Sequence, residues 1–303
     1  MGSWEPALDA AGVHDPGLRA QYGRQRHQVT EYKREMAAAA GLLLPYAMIP
    51  HVIAAAAFMH RTDTLQDSGP LADRRTSSAR WEREVSKSLA TGHSDNPELR
   101  PLLNSIVSHP VLRDRVADYL AAAATDLDFT GFDTEDDYQR YVDGYSLPAF
   151  MVVAALLGPD GDQSAYRSAC RTFIDASQRL DFVNDLAEDL ADGRLTIPVR
   201  TLEEHGVTRA DLEQARPLPG VLTLLTDQLD QVDRTLADAE AVVDLVPAGH
   251  QPLLRCIIGI DKLTSTAARS AGTALLHHPA GTPKLPALRL LARQYLRARR
   301  HRN

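Results

Sequence analysis

Residues 52–67 read VIAAAAFMHRTDTLQD, a run of apolar residues that ends in two carboxylates, Asp63 and Asp67. Side chains four apart are neighbours on one face of a helix. The alanine-rich approach favours helix over strand, and no alternation of apolar and polar residues competes with it. The wider stretch Met36 to Met59 is almost wholly apolar and long enough to span a bilayer. Pro45, Pro50 and His51 interrupt it. One helix ending at Pro45 and a second starting near residue 51, both buried, is the reading preferred over a membrane span.

Outward from this segment the chain repeats the same grammar. Helical patterns cover 31–44, 51–67, 81–90, 98–107, 111–125, 134–156, 163–191, 198–205, 208–214, 219–244, 249–276 and 285–300. Short breaks such as SHP, GPDGD, VPAGHQP and HHPAGTP separate them. Residues 68–80, with Ser, Gly, Pro and several arginines, read as a loop, and residues 1–30 as a polar, irregular, loosely held arm. No window shows a period-two pattern rich in Val, Ile and Thr, and no internal repeat is visible. The expectation is an all-α fold: one helical domain over 31–303, preceded by an N-terminal arm over 1–30.

Composition narrows the function classes. The 303 residues are 44% hydrophobic and 24% charged, as in an ordinary globular protein, and carry a formal net charge of −7. A mildly acidic chain is a poor nucleic-acid binder, because phosphate contacts need a basic surface. Cys170 and Cys256 belong to no metal or redox spacing and read as buried thiols in a reducing compartment. The N-terminus lacks a basic start followed by an apolar run, which leads to the expectation of a cytoplasmic protein without stable membrane insertion. A homodimer is compatible with everything in the sequence.

A second acidic cluster, Asp185-Leu-Ala-Glu188-Asp189, also places carboxylates on one helical face, and Asp181 extends the stripe by a turn. Phe173, Ile174, Leu180, Phe182 and Val183 surround it with apolar residues. Either cluster alone also reads as a solvated helix face. Stacked carboxylates repel, and hard divalent cations compensate them. Mg²⁺ prefers oxygen ligands and is commonly shared between carboxylates and substrate phosphates. Two such faces opposed across a bundle would clamp a diphosphate and stabilise it as a leaving group.

Several motifs together resemble the squalene/phytoene synthase family. HRTDTLQD (60–67), preceded by LLLP (42–45), is similar to the first aspartate-rich motif. Asp126-Leu127 and FDTEDDYQRYVDG (132–144) are similar to the segment leading into the tyrosine-bearing helix. QRLDFVNDLAEDLADGRLTIP (178–198) resembles the second motif, EEHGVTRADLEQ (203–214) its sequel, and LPALRLLARQYLRAR (285–299) the last helix. The resemblance implies an isoprenoid synthase helical bundle around a central cavity. It also implies two or three Mg²⁺ ions held by Asp63, Asp67, Asp185 and Asp189, with Glu188 in support. Arg61 and Arg194 match positions near the diphosphate. Tyr141 and Gln178 match positions lining the cavity, and Phe58, Tyr145 and Asn184 join the substrate-binding set.

Departures from the pattern shift the expected chemistry. Where the family has Asn-x-x-Arg this chain has Asp181 and Asn184. Where it has Val-Ala-Gly-x-Val-Gly the chain reads Val142-Asp143-Gly144-Tyr145-Ser146-Leu147-Pro148, with bulkier and acidic residues. These changes weaken a second diphosphate grip and a small-residue tunnel. The expectation is a squalene-synthase-like prenyltransferase that moves a short allylic group, dimethylallyl, from its diphosphate to an aromatic acceptor such as a carbazole in antibiotic biosynthesis. Asp181 or Asp143 is then the candidate to orient the acceptor or take its proton. Head-to-head coupling to phytoene or squalene is the alternative enzyme, and a non-catalytic helical scaffold is the alternative outside catalysis. Arg74 and Arg75 read as surface arginines or as paired diphosphate donors. The basic tail Arg289, Arg293, Arg297, Arg299, Arg300 and Arg302 reads as helix-end charge, with a weak membrane-surface contact as the minor alternative.

Overall fold

A computed structural model describes residues 4–67, 69–127 and 129–301. The described residues form helices joined by short turns, with one isolated parallel bridge between Gly131 and Leu195. The N-terminal helices are α1 (Trp4–Ala10), α2 (Pro16–Tyr32) and α3 (Arg34–Leu43). The helix α4 (Ile49–Asp67) follows, then α5 (Leu71–Thr91), α6 (Arg100–Ser108) and α7 (Val111–Asp126). Next come α8 (Glu135–Tyr141), α9 (Leu147–Leu157), α10 (Ser164–Asn184) and the short α11 (Leu186–Ala191). The remainder is α12 (Val199–Glu204), α13 (Arg209–Glu213), α14 (Pro219–Ala239), α15 (Gln251–Ala271) and α16 (Lys284–Ala298).

The breaks fall where the local chemistry dictates. Pro45 stops α3, and Pro50 sits in the first turn of α4, where its missing N–H leaves no intrahelical bond unmade. Thr134 and Asp137 form a reciprocal capping box at the start of α8, and Thr208 and Asp211 form another at α13. Gly92, at φ 68°, closes α5 in the left-handed conformation. The apolar stretch from Met36 to Met59 is therefore two helices and not one, and α4 is buried through the run Ile49–Ala55. No helix among the described residues is long and apolar enough to cross a membrane.

Packing centres on α4, α7, α9 and α10. The helix α10 lies along α14, α7 along α9, and α4 contacts α2, α5, α6 and α9. Cys170 and Cys256 are buried, unpaired thiols. Phe150 and Phe173 pack at 5.4 Å between ring centroids and serve the core.

Three local expectations are corrected. The N-terminal segment is not an irregular arm: α1 and α2 occupy it, and α2 docks on α4. Tyr22 is fully buried there, donating its hydroxyl to the Pro101 carbonyl at 2.9 Å and lying 3.0 Å from Ser105 Oγ. Asp15 caps α2 by accepting from Leu18 N–H at 2.7 Å, with Pro16 at the first helical position. Residues 71–80 are not loop but the first half of α5; Gly69 and Pro70 precede it, and Ser68 lies outside the described residues. Residues 134–156 are not one α-helix, because the five residues Val142–Ser146 are wound as π-helix between α8 and α9.

Replacing Tyr22 with Ala removes a buried ring and its hydrogen bonds from the α2–α4–α6 junction. The expected loss is about 3–5 kcal/mol of unfolding free energy, read by urea denaturation; a loss below about 1 kcal/mol would mean that the N-terminal helices are not part of the cooperative unit.

Candidate active site

The first acidic cluster sits at a helix C-terminus, and the second spans the end of α10 and the first turn of α11, where Glu188 and Asp189 stand. Asp63 and Asp67 occupy the last turns of α4, and Asp181 and Asp185 the end of α10 and its cap. A helix C-terminus already carries partial negative charge, so these carboxylates add to an unfavourable field and not to a compensating one. The two ends border a single cavity of about 770 Å³. Asp63, Asp67, Asp181, Asp185, Glu188 and Asp189 all line it, together with Asp126 from the end of α7. The chain breaks its helix at Asp185, so α10 and α11 meet there at an angle that a continuous helix over 163–191 would not give.

The electrostatics carry the mark of this crowding. Burial, with Asp67 and Asp126 nearby, lifts the Asp63 carboxyl to about 6, although the Tyr119 hydroxyl donates to it at 2.5 Å. Desolvation beside the apolar neighbours and the nearby Asp185 and Asp189 lift Asp181 to about 6; its side chain opens onto the cavity, where water reaches it. Asp189 is likewise pushed up to about 6 by burial, against the opposing pull of Arg194, whose Nη2 lies 3.1 Å away. Burial also raises Asp126, which accepts the Tyr141 hydroxyl at 2.7 Å. Lys33, at the junction of α2 and α3, favours the ionised forms of Asp63, Asp181 and Asp185 alike.

One wall of the cavity is aromatic. Phe129, Tyr141, Tyr145 and Phe182 line it, and their rings form one packed group. Phe129 and Tyr141 are 4.8 Å apart between centroids, and Tyr141 and Tyr145 are 5.2 Å apart. The π-helical turn supplies Tyr145, and its Ser146 hydroxyl donates to Gln178 Oε1 at 3.0 Å, tying the turn to α10. Among the described residues Leu127 is the one aliphatic side chain on the lining; the others are charged, polar, aromatic or glycine.

The structure brings together Asp63, Asp67, Asp181, Asp185, Glu188, Asp189, Tyr141, Tyr145, Gln178 and Arg194. It does not bring in four others. Asp143 points outward, mostly exposed, with Arg171 Nε donating to it at 2.9 Å. Arg61 lies on the outer side of α4, 3.2 Å from Glu98 and over the Trp81 ring. Phe58 is buried in the core against Trp81 and Tyr119. Asn184 stands behind the lining, accepting from Ala280 N–H at 2.9 Å and donating to Asp185 Oδ1 at 3.2 Å. Four lining or facing residues were not singled out from sequence: Asp126, Tyr119, Tyr32 and Lys33. The segment holding Asp126 was legible as a motif, but nothing in the spacing marked its carboxyl as facing Asp67. Arg74 does reach the cavity, its Nη1 donating to the Gln66 carbonyl at 3.0 Å, whereas Arg75 lines a separate cleft behind α4.

Comparison with known proteins follows this geometry. The description "squalene/phytoene synthase" belongs to a family model that matches residues 29–289. The chain is 31% identical over 253 residues to the bifunctional protein CrtB/UppS of Streptomyces coelicolor, an overlap of 83% of this chain and 44% of that protein. It is 27% identical over 183 residues to the phytoene synthase of Arthrospira platensis, covering 56% of this chain and 59% of the relative. The chain thus spans about half the length of the curated relatives it matches. A ligand-bound dehydrosqualene synthase superposes with a TM-score of 0.82 at 17% identity, over 93% of this chain and 98% of the other. The squalene synthase HpnC of Alicyclobacillus acidocaldarius gives 0.75 at 22% identity, over 89% and 99%. At these identities the structural likeness speaks for the helical fold.

Two outcomes test this site. For Asp63, Asp181 and Asp189, whose folded values near 6 exceed the usual 3.8, the folded state holds more protons than the unfolded chain between those values. Stability without metal is therefore higher near pH 5 and falls as pH rises through 6. Melting curves at pH 5 and 7.5 check the sign, and added Mg²⁺ is expected to raise the melting temperature at pH 7.5 more than at pH 5.

Proposed function

The chain belongs to the squalene/phytoene synthase family, and from that premise we propose that it is a Mg²⁺-dependent prenyltransferase that transfers a short allylic group, dimethylallyl, to an aromatic acceptor such as a carbazole. The observation that carries this reading is the pairing, in one cavity, of a carboxylate-rich rim with an aromatic wall and, among the described residues, a single aliphatic lining residue. A compact planar acceptor fits such a wall by stacking. A long isoprenoid chain would need an aliphatic bed that this lining does not supply.

The donor set suits Mg²⁺: Asp63, Asp67, Asp185, Glu188 and Asp189 offer hard oxygen ligands that Arg194 and Lys33 offset only in part. Among the described residues no three His, Cys, Asp or Glu side chains converge closely enough to hold a metal by themselves. Substrate diphosphate oxygens would therefore complete the shell, as Mg²⁺ sites commonly require. When bound, Mg²⁺ supplies charge stabilisation for the departing pyrophosphate.

The chain's own residues perform the rest. Arg74 and Arg194 are the guanidinium donors available to diphosphate oxygens at the cavity. Tyr119 holds Asp63 in place, and Tyr141 holds Asp126. The allylic C–O bond breaks with its electron pair leaving on pyrophosphate, and an acceptor ring carbon forms the new C–C bond with its π electrons. Phe129, Tyr145 and Phe182 present ring faces that shield the allylic cation from water. Asp181, lifted to about 6, is matched to take the proton lost from that ring carbon near neutral pH.

Head-to-head coupling of two prenyl diphosphates is the second reading, favoured by the names of two relatives that are phytoene synthases. Pyrophosphate release from dimethylallyl, geranyl and farnesyl diphosphates, with and without aromatic acceptors, separates the two. Acceptor-dependent release from the shortest donor is expected; release from a long donor without acceptor would replace this reading by coupling. Asp63→Asn and Asp189→Asn are expected to lower turnover about 100-fold or more. Asp143→Asn and Arg61→Ala, both outside the cavity, are expected to stay within about twofold of the parent in the same assay.

A further inference from the structure

The C-terminal helix α16 has two faces of opposite purpose. Its inner face, Leu290, Gln294 and Ala298, is buried against the bundle, and a Cβ built on Gly259 of α15 would lie 2.5 Å from Leu290 Cδ2. Its outer face nevertheless carries Leu285, Leu288 and Leu296, which are 68%, 61% and 64% exposed. With Ala292 they follow a three-, four-, four-residue spacing and share one side of the helix.

Charge borders this strip, with Arg289, Arg293 and Arg297 along one side of it. Lys284, Arg289, Arg293, Arg297, Arg299 and Arg300 are all exposed, and Arg302 lies outside the described residues. No Asp or Glu follows Asp261 in the whole chain. Among the described residues none of these six cations is in an ion pair, and Arg297 donates only to the Gln294 amide. The chain as a whole carries a net charge of −7, so this concentration of positive charge is local.

The patch also reaches towards the cavity. The helix α16 packs on α3, where Met36 is 48% exposed, and Tyr32 at the end of α2 is 49% exposed and lines the cavity. On the other side, the segment leading into α16 is fastened to the second acidic cluster by the Ala280–Asn184 hydrogen bond. Exposed leucines framed by unpaired arginines complement one kind of surface, an anionic lipid bilayer, which receives apolar side chains and attracts the cations. A helix end alone would explain the last arginines but not the leucines or Arg289 and Arg293.

We propose that the outer face of α16 is a peripheral docking surface for anionic membranes, which sets the cavity mouth close to the bilayer where an apolar prenylated product can leave. The surface does not depend on the identity of the donor or acceptor.

Co-sedimentation of the full chain with vesicles of phosphatidylcholine, with and without phosphatidylglycerol, tests it. Binding is expected with phosphatidylglycerol only and is expected to weaken as salt is raised. At about fivefold per basic residue, Arg289→Gln with Arg293→Gln lowers vesicle partition ~25-fold. Leu288→Ser with Leu296→Ser abolishes it while leaving the melting temperature and pyrophosphate release from a water-soluble donor unchanged. Undiminished binding in both double variants, or absence of binding by the parent chain, overturns the proposal. So does sedimentation of the parent as a dimer that the leucine variant splits without any vesicle binding, since the face would then belong to a second copy.

Discussion

Like charge held at two helix C-termini is the constraint to which the rest of this molecule is fitted. The carboxylates of α4 and α10 lie where the helix field opposes them, in partial burial that makes ionisation harder still. A chain folded only for stability would place lysines and arginines there. The surrounding packing must therefore hold the two ends near each other against their repulsion. The buried first half of α4 and the long contact of α10 with α14 supply that rigidity. Lys33 supplies a cation that acts on both clusters, and it stands on the junction between two helices.

Hydrogen bonding inside the cavity follows a rule of pairing. Asp63 takes the Tyr119 hydroxyl, and Asp126 takes that of Tyr141. Each phenol is buried, and burial with adjacent carboxylates pushes its own ionisation upward, so it stays a donor over the working range. The carboxylates keep an oxygen for other partners while their orientation is fixed. Behind the lining, Arg179 is buried between Glu135 and Gln228 and over the Tyr138 ring, which locks α8 to α10 and α14. The aromatic wall is thereby mounted on a polar clasp that never touches the cavity.

Much of this was legible from the chain alone. The acidic ends of α4 and α10 follow from spacing and from the apolar residues around them, and prolines and glycines gave most boundaries. What failed failed for physical reasons. The N-terminal helices are polar on most positions and are held by a few buried side chains such as Tyr22, so hydrophobic periodicity barely registers. The start of α5 was masked by Gly69 and Pro70, whose turn signal extends only to the helix entry. Asp143 was misplaced although a clue existed: it stands two residues from both Tyr141 and Tyr145, and residues two apart on a helix do not share a face. Arg61 was misplaced by its nearness to Asp63 in sequence, which again puts it off the cavity side.

The five π-helical residues 142–146 have a consequence for how such a wall changes over time. A π-turn is an α-helix that has accepted one surplus residue. Its persistence here is secured by the Ser146–Gln178 hydrogen bond and by the tilted packing of Tyr145 against Tyr141. Removing one residue would let the segment relax to α geometry and swing everything beyond it by about 100°. Tyr145 would leave the wall without itself being replaced. A change of length, and not of any lining residue, would then be enough to reshape this wall.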